Sequence, residues 1–418
     1  VANITPLNQR FYRYTVESFN VLFEGDDQPV VIPPSMVNSV MIEKDFDVDY
    51  FPILAVKVML TSDLYFRIVE NKDSVKFRFR MQKYIYDPNS STPPFKKDVF
   101  NDIFTIFLDE NTPFIEKQMY ERTKSMLGEG SAPQDVGGKE FTLFLFKESD
   151  LTNSKKIINN VIGPVTMTGA LTYCLATAGI KNILLAPLDN KRSYKDVLLP
   201  PFTLLGNLEY LENQYGFFYA GLLAFFDLDR TYMIDYSGKC KAWAKGEYKK
   251  TVFNVKYDTN PDNLSPGLFN DENQKTYYIN IFPGGIVMKS PSFTADHIEG
   301  NNIYFVDPVT GAVNMHKAET YERGEGSYRV MVDKYNNVFI RTSQRLRREE
   351  MKNIIEVTMG DFDIDAITPN KEFVFTFEDK SISSTRGGNY RLSRSVFTFT
   401  KQGEAFAISA SALFKKIS

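Results

Sequence analysis

The sequence predicts a mainly β fold with α+β parts: two similar antiparallel β-barrels, the second discontinuous, plus two accessory domains. Three observations predict it. Of 418 residues, 35 are Phe and 23 are Tyr against 1 Trp, and aromatic side chains pack well on a pleated surface. Short apolar runs bounded by Pro and Gly recur along the whole chain, as strands and turns do. A five-residue motif occurs twice, Asp45-Phe46-Asp47-Val48-Asp49 and Asp361-Phe362-Asp363-Ile364-Asp365. At roughly 150 residues per domain the length suits two to four domains. We place them at 1–94 (first barrel), 95–198 (α+β), 199–250 with 346–418 (second barrel), and 251–345 (inserted, β-rich).

In chain order, Phe11–Phe23 reads as a strand and Gly25-Asp26-Asp27 as a turn. Val37–Asp49 resumes in extended form, and Pro52 leads into Ile53–Leu60. Leu64–Val69 and Val75–Tyr86 follow as strands. In the last, Val75, Phe77 and Phe79 alternate with Lys76, Arg78 and Arg80, which marks one buried and one wet face. The run 87–94, DPNSSTPP, is the first boundary. Beyond it, strands at Asp102–Leu108 and Phe141–Phe146 flank a loop holding Gly128, Gly130, Gly137 and Gly138. A helix fits Pro164–Ala178, with Val165, Met167, Ala170, Leu171, Cys174, Leu175 and Ala178 on one face. Gly179 stops it, and a short strand follows Asn182.

The stretch Leu198–Asp229 is where one part of the molecule is fastened to the next. Pro200-Pro201 blocks helix on one side, and Thr203 is a suitable N-cap. Leu204, Leu205, Leu208, Leu211 and Tyr215 recur at helical spacing, and Gly216 stands where a C-terminal cap belongs. Phe217–Leu228 then reads as a strand buried on both faces. Thr251–Arg341 is strand and loop, Arg345–Asn353 a short charged helix, and the remainder strand and turn. Phe373, Phe375 and Phe377 alternate, as do Phe397 and Phe399.

The two aspartate motifs share their surroundings. Each follows a β-branched run and precedes a proline, an apolar strand, a turn and two further strands. We read this as a duplicated β-domain. The second copy opens with Phe217–Ile234 and resumes after Asn353, with residues 251–345 inserted between its halves.

Net charge is -3, from 49 basic and 52 acidic residues, so a general nucleic-acid binder is not expected. Two cysteines, Cys174 and Cys240, make no disulfide framework and are expected reduced. The N-terminus lacks a signal pattern, and no apolar run reaches the ~18 residues of a bilayer span. The chain reads as starting at Val1 after loss of Met. His297 and His316 stand alone, without HExxH or CxxC, so neither a metal nor another cofactor is expected. No nucleophile motif stands out, and Gly284-Gly285 is a turn rather than a phosphate loop. Asp45, Asp47 and Asp49, and likewise Asp361, Asp363 and Asp365, would project from a solvated strand face; Asp227 and Asp229 are read the same way. Arg345–Arg348 is the wet face of a helix.

Three stretches carry a family likeness: Ser39–Tyr86 with DFDVDYFPILAVKV, Leu199–Asp229 ending FFDLD, and Val357–Lys415 with ITPNK and GNYRLSRS. Together they resemble the baseplate or tail-tip hub family of tailed phages, whose T-even member defines the fold. The resemblance implies two β-barrels per subunit and a homotrimer whose six barrels form a ring. Such a ring joins the sixfold tail tube to the threefold central spike. It closes the tail and leaves a passage for tape measure protein and for DNA in transit. Implied partners are the chain itself, the tail tube or distal tail protein, the central spike or cell-puncturing protein, and the tape measure. A virion location after synthesis in the host cytoplasm is implied, with no stable membrane insertion, no enzymatic activity, and no fused lysin or peptidase domain. On this reading the two motifs, Asp45, Asp47, Asp49 and Asp361, Asp363, Asp365, are the candidate tube contacts. The alternatives are a distal-tail or receptor-binding virion protein and, less favoured, a glycan-cleaving tail enzyme.

Overall fold

The computed structural model describes residues 8–9, 11–86, 95–107, 139–256, 267–289, 303–306, 313–316, 329–332 and 354–417. Six strands come from the N-terminal part: β1 (Phe11–Leu22), β2 (Val37–Asp45), β3 (Ile53–Leu60), β4 (Lys76–Tyr86), β5 (Phe95–Phe107) and β6 (Lys139–Lys147). Eight more belong to the same sheet: β7 (Lys250–Val255), β8 (Gly267–Asp271), β9 (Thr276–Ile281), β10 (Ile286–Lys289), β11 (Ile354–Gly360), β12 (Glu372–Phe377), β13 (Gly388–Gln402) and β14 (Ala405–Lys416).

The order β13-β2-β3-β6-β5-β4-β1-β14 is antiparallel throughout, and β13 pairs again with β14 to close an eight-stranded barrel. Alternation fixes which side chains fill it. Phe77, Phe79 and Met81 of β4 are fully buried, while Lys76, Arg78 and Arg80 lie on the outer wall. The mainly β, barrel-containing fold expected from the sequence is therefore present. The expected break at residue 94 is not a break in the sheet, because β5 and β6 complete the first barrel.

The second unit is an open sheet in the order β8-β9-β7-β12-β13-β14-β11-β10, with the two-residue strand Asn8–Gln9 added antiparallel to the outer edge of β8. It shares the β13–β14 hairpin with the barrel. Near Tyr390, β13 pairs with β12; from Arg394 to Thr400 it pairs with β2. These strands are 15 and 12 residues long, twice what one sheet needs. The unit is mixed rather than antiparallel, since β7 lies parallel between β9 and β12. Thr251, Val252, Phe253 and Val255 of β7 are all buried, as a strand covered on both faces requires.

Other expectations are corrected. Phe217–Ile234 does not open a second barrel. The chain first turns through Gly221, with φ 96°. Only Leu222–Phe226 and Thr231–Asp235 are strands there, and with Ile183–Leu185 they make a separate three-stranded sheet. Their place is taken by β7, β8 and β9, which had been assigned to the insertion. Leu64–Val69 is helical, within α1 (Ser62–Glu70), because the Thr61 hydroxyl accepts from the Leu64 amide and starts a helix. Helix α2 (Glu148–Ser154) is short. The expected helices form as α3 (Met167–Ala178), capped by Thr166 and ended by Gly179 at φ 86°, and α4 (Leu204–Gln214), capped by Thr203. Buried Asn207 on α4 donates its amide to the Ile158 and Phe202 carbonyls. That ties the helix to the ribbon formed by Ile157–Ile162 and Val197–Thr203. A last short helix, α5 (Lys380–Arg386), precedes β13. Gly284-Gly285 lies in a one-turn 3-10 helix, in keeping with a turn role. The expected boundary at 87–94, the glycine-rich loop and the helix at Arg345–Asn353 lie outside the described residues. His297 does too, and of His316 only the backbone is described.

Candidate functional site

Both aspartate motifs are tight turns rather than strand faces. After β2, the Asp45 carboxylate accepts from the amides of Asp47 (3.0 Å) and Val48 (3.2 Å), and the Asp49 amide returns to the Asp45 carbonyl. After β11, Asp361 takes φ 50°, a region aspartate tolerates better than most residues. Asp363 then accepts from the Asp365 amide at 3.0 Å and caps a one-turn helix, Ile364–Ala366. In each turn the phenylalanine is buried, Phe46 against Phe225 (ring centroids 4.6 Å apart) and Phe362 against Phe397 (6.0 Å).

The central aspartates make a reciprocal lock. Asp47, which follows a barrel strand, accepts from Arg391 at 2.7 Å, from Lys415 at 2.6 Å and from the Ser393 hydroxyl. Arg391 and Lys415 sit at the end of the shared hairpin that pairs with the second sheet. Asp363, which follows a second-sheet strand, accepts from Lys83 of barrel strand β4 at 2.5 Å and from the Tyr277 hydroxyl at 3.2 Å. Asp365 accepts from Lys83 and from Lys97, each at 2.7 Å. Tyr14 of β1 threads the same turn, donating to the Phe362 carbonyl and accepting from the Ile364 amide.

Electrostatics favour the charged forms. Burial alone would raise the Asp47 carboxyl; the Arg391 and Lys415 charges overcome it and hold the pKa at about 2. Burial likewise opposes charge on Lys83, yet Asp363 and Asp365 keep its pKa above the ordinary lysine value. Asp365 is lowered by Lys83 and Lys97 against its own burial. Because the folded-state Asp47 pKa lies below the unfolded one, its contribution is present above pH ~4 and is lost as pH falls toward 2. Asp47→Asn should therefore be less stable than the wild type at pH 6. The gap should narrow by about 2 kcal/mol between pH 5 and pH 2. Urea titrations across that range read the difference; a gap that stays constant would refute it.

Of the six predicted aspartates, then, Asp47, Asp363 and Asp365 are engaged inside the chain, while Asp49 and Asp361 stand exposed and Asp45 is half-buried. Sequence reasoning missed Lys83, Lys97, Arg391 and Lys415. Their signal was faint: three lysines and an arginine, each inside a strand.

A cavity of about 420 Å³ runs along the seam of the barrel, the second sheet and the central layer, which is the three-stranded sheet of Ile183–Leu185, Leu222–Phe226 and Thr231–Asp235. Ion pairs line it, including Lys44–Asp227 at 2.6 Å and Lys371–Glu247 at 2.8 Å. Asp227 is therefore a buried partner, not a solvated one. The central layer is fastened by Phe51 stacked on Phe226 and by the Phe226 amide donating to the Tyr50 carbonyl at 2.8 Å. Leu198–Asp229 does join parts, as its composition suggested. Among the described residues no three His, Cys, Asp or Glu side chains converge on a metal-sized site, and no helix is long and apolar enough to cross a membrane. The site is built to hold sheets together.

Comparison with solved structures gives the fold a context. A tail protein from Neisseria meningitidis MC58 matches with TM-score 0.50 and 10% identity, covering 97% of each chain. The 43 kDa tail protein of prophage MuSo2 from Shewanella oneidensis gives 0.46 and 9%, over 95% of this chain and 97% of that one. A Francisella PdpA-VgrG complex gives 0.48 and 8%, over 99% of this chain and 54% of that one. At these identities the likeness is one of fold alone. No curated protein matches in sequence. Residues 13–417 do match the family described as Bacteriophage PBS1 gene 109 protein, and the chain belongs to that family.

Proposed function

We propose that the chain is the structural hub of a phage tail baseplate or tail tip, acting by association rather than catalysis. Three copies form a ring that joins the sixfold tail tube to the threefold central spike and leaves a passage for the tape measure protein and DNA. The observation that carries this reading is a repeated order of elements (aspartate turn, strand, helix, two long strands) in a closed barrel and in an open sheet that are fused through one hairpin and locked by the two aspartate turns. Two related units in each of three subunits supply six docking surfaces, which is what a sixfold neighbour needs. Tail-type fold likeness supports it, as does the absence of a nucleophile or metal arrangement from its three carrying stretches.

The tube contact is proposed at the two turns. Of the six candidates, the exposed Asp49 and Asp361 would make it, since Asp47, Asp363 and Asp365 are already paired and half-buried Asp45 holds its own turn. Light scattering on the purified protein should give three times the chain mass, and negative-stain images should show a ring with a central hole. Asp49→Lys with Asp361→Lys should leave the trimer intact and weaken co-assembly with tail tube at least tenfold. A strict monomer at high concentration would sink the hub reading; undiminished tube binding would remove the aspartates from it.

A further inference from the structure

The chain leaves the central three-stranded sheet at Asp235 and enters the second sheet at Lys250. The link between them is clasped to the residues that follow the second aspartate turn. Asn370 donates its side-chain amide to the Ala242 carbonyl at 3.1 Å, and Lys371 donates to Glu247 at 2.8 Å. Buried Lys241 donates its ammonium to the Pro369 carbonyl at 2.7 Å. No strand of the closed barrel takes part in these three contacts.

Lys241 stands apart from the other buried lysines of the seam. Lys44, Lys83 and Lys371 each meet a carboxylate within 2.8 Å. Among the described residues, no carboxylate comes within 4.0 Å of the Lys241 nitrogen. Asp235, at the head of the link, already accepts from the Ser237 hydroxyl and from the amides of Ser237 and Cys240. The charged groups that face Lys241 are Asp235 and Glu372, which favour its proton, and Arg391 and Lys371, which oppose it. The space beside the nitrogen is full. A Cβ built on Gly238 would stand 3.2 Å from it, and 3.3 Å from both Arg391 Cβ and Ile417 Cδ1. An ammonium held this way, with one carbonyl and no counter-ion, is disfavoured by its lost hydration. Burial accordingly brings the Lys241 pKa down to about 7.

We propose that Lys241 makes this clasp proton-linked. With its amine neutral the link stays closed on Pro369; with a proton bound the link opens to hydrate the ammonium, and the central layer loosens from the second sheet. The proton also sets a second positive charge beside Arg391, which holds Asp47. The direction follows from linkage. In the opened link Lys241 takes up its proton near the ordinary lysine value of ~10.4, so between pH ~7 and that value the open form binds one proton more than the closed form. Closure therefore strengthens with rising pH, approaching about tenfold per pH unit above 7, and is flat well below 7. The device lies within one chain and does not depend on the hub reading.

Native-state hydrogen exchange on the full chain reads the opening, through the Tyr236, Gly238 and Cys240 amides that the closed link protects. Their protection factors, corrected for the intrinsic effect of pH on exchange, should rise about fivefold between pH 7 and pH 8 in the wild type. In Lys241→Met they should not change over that unit, and at pH 7 they should exceed the wild-type values by about tenfold or more. Lys241→Gln keeps a neutral donor for the Pro369 carbonyl and should match Lys241→Met; it takes that variant's place should the methionine chain fail to fold. Cysteine and tyrosine ionisation is common to all three chains and cancels in the difference. Wild-type protection that stays constant from pH 7 to pH 8 overturns the proposal, as does an equal rise in the variants. A variant less protected than the wild type at pH 7 also overturns it, because Lys241 would then be an ordinary tether.

Discussion

Lys83→Met should lower the unfolding free energy by about 3–5 kcal/mol, the range for removing one partner of a buried ion pair. Lys83 is 1% exposed and reaches Asp363 at 2.5 Å and Asp365 at 2.7 Å. With the ammonium gone, Asp365 keeps Lys97, but Asp363 keeps only the Tyr277 hydroxyl and the Asp365 amide. Two neutral donors do not offset the desolvation of a carboxylate that deep. The double variant Lys83→Met/Asp363→Leu should recover most of the loss, since apolar side chains of similar volume often replace a buried pair at little cost. Urea denaturation at pH 7 measures both. A single variant within ~1 kcal/mol of the wild type would show that the lock contributes little to holding the two units together.

That lock shows how far the sequence could be read. The two motifs were visible as a repeat, and their flanking order of strand, turn, strand, helix or turn, and two long strands is what the structure has. Their partners were not visible. Asp363 and Lys83 are 280 residues apart, and Asp47 and Arg391 are 344 apart. Nothing in a local window encodes such a pairing. Spacing therefore suggested a solvated face where the fold makes an ion pair.

Elements set by near neighbours were legible. Ile53–Leu60 has the expected bounds and α4 is capped by Thr203 as expected, whereas α3 starts at Met167 rather than at Pro164 because the Thr166 hydroxyl caps it. Alternation was decisive on β4 because one face is core and the other is water. Elements set by distant partners were not legible. β7 runs parallel to β12, with Lys250 opposite Glu372, and only the fold reveals that it replaces Phe217–Ile234 in the second sheet. Leu64–Val69 misled for a local reason: its aromatic and β-branched residues favour strand, but the Thr61 cap and the buried face of Tyr65, Phe66 and Ile68 decide for helix.

The shared hairpin makes a further demand on how the chain unfolds. Phe79 is fully buried in the barrel, with ring centroids 4.7 Å from Phe19 and 5.0 Å from Phe100. Phe253 is fully buried in the second sheet, 4.6 Å from Phe375 and 5.1 Å from Phe414. Truncating either to Ala should cost about 3–5 kcal/mol in lost burial and residual cavity. The informative result is where the cost falls. A chain of 418 residues built from separable domains would unfold in steps, and each substitution would move only its own step. Here β13 and β14 cannot leave one sheet without stripping the other, and Lys83, Asp363, Asp47 and Arg391 bridge the units as well. Both substitutions should shift one common transition. Trp243, the only tryptophan, lies under the Lys249 ammonium just before β7 and reports that end of the second sheet by fluorescence, and far-UV circular dichroism reports the strands. At fixed protein concentration the two probes should give coincident curves for the wild type and both variants. A biphasic curve, with Phe79→Ala moving one limb and Phe253→Ala the other, would mean that the two units are merely adjacent.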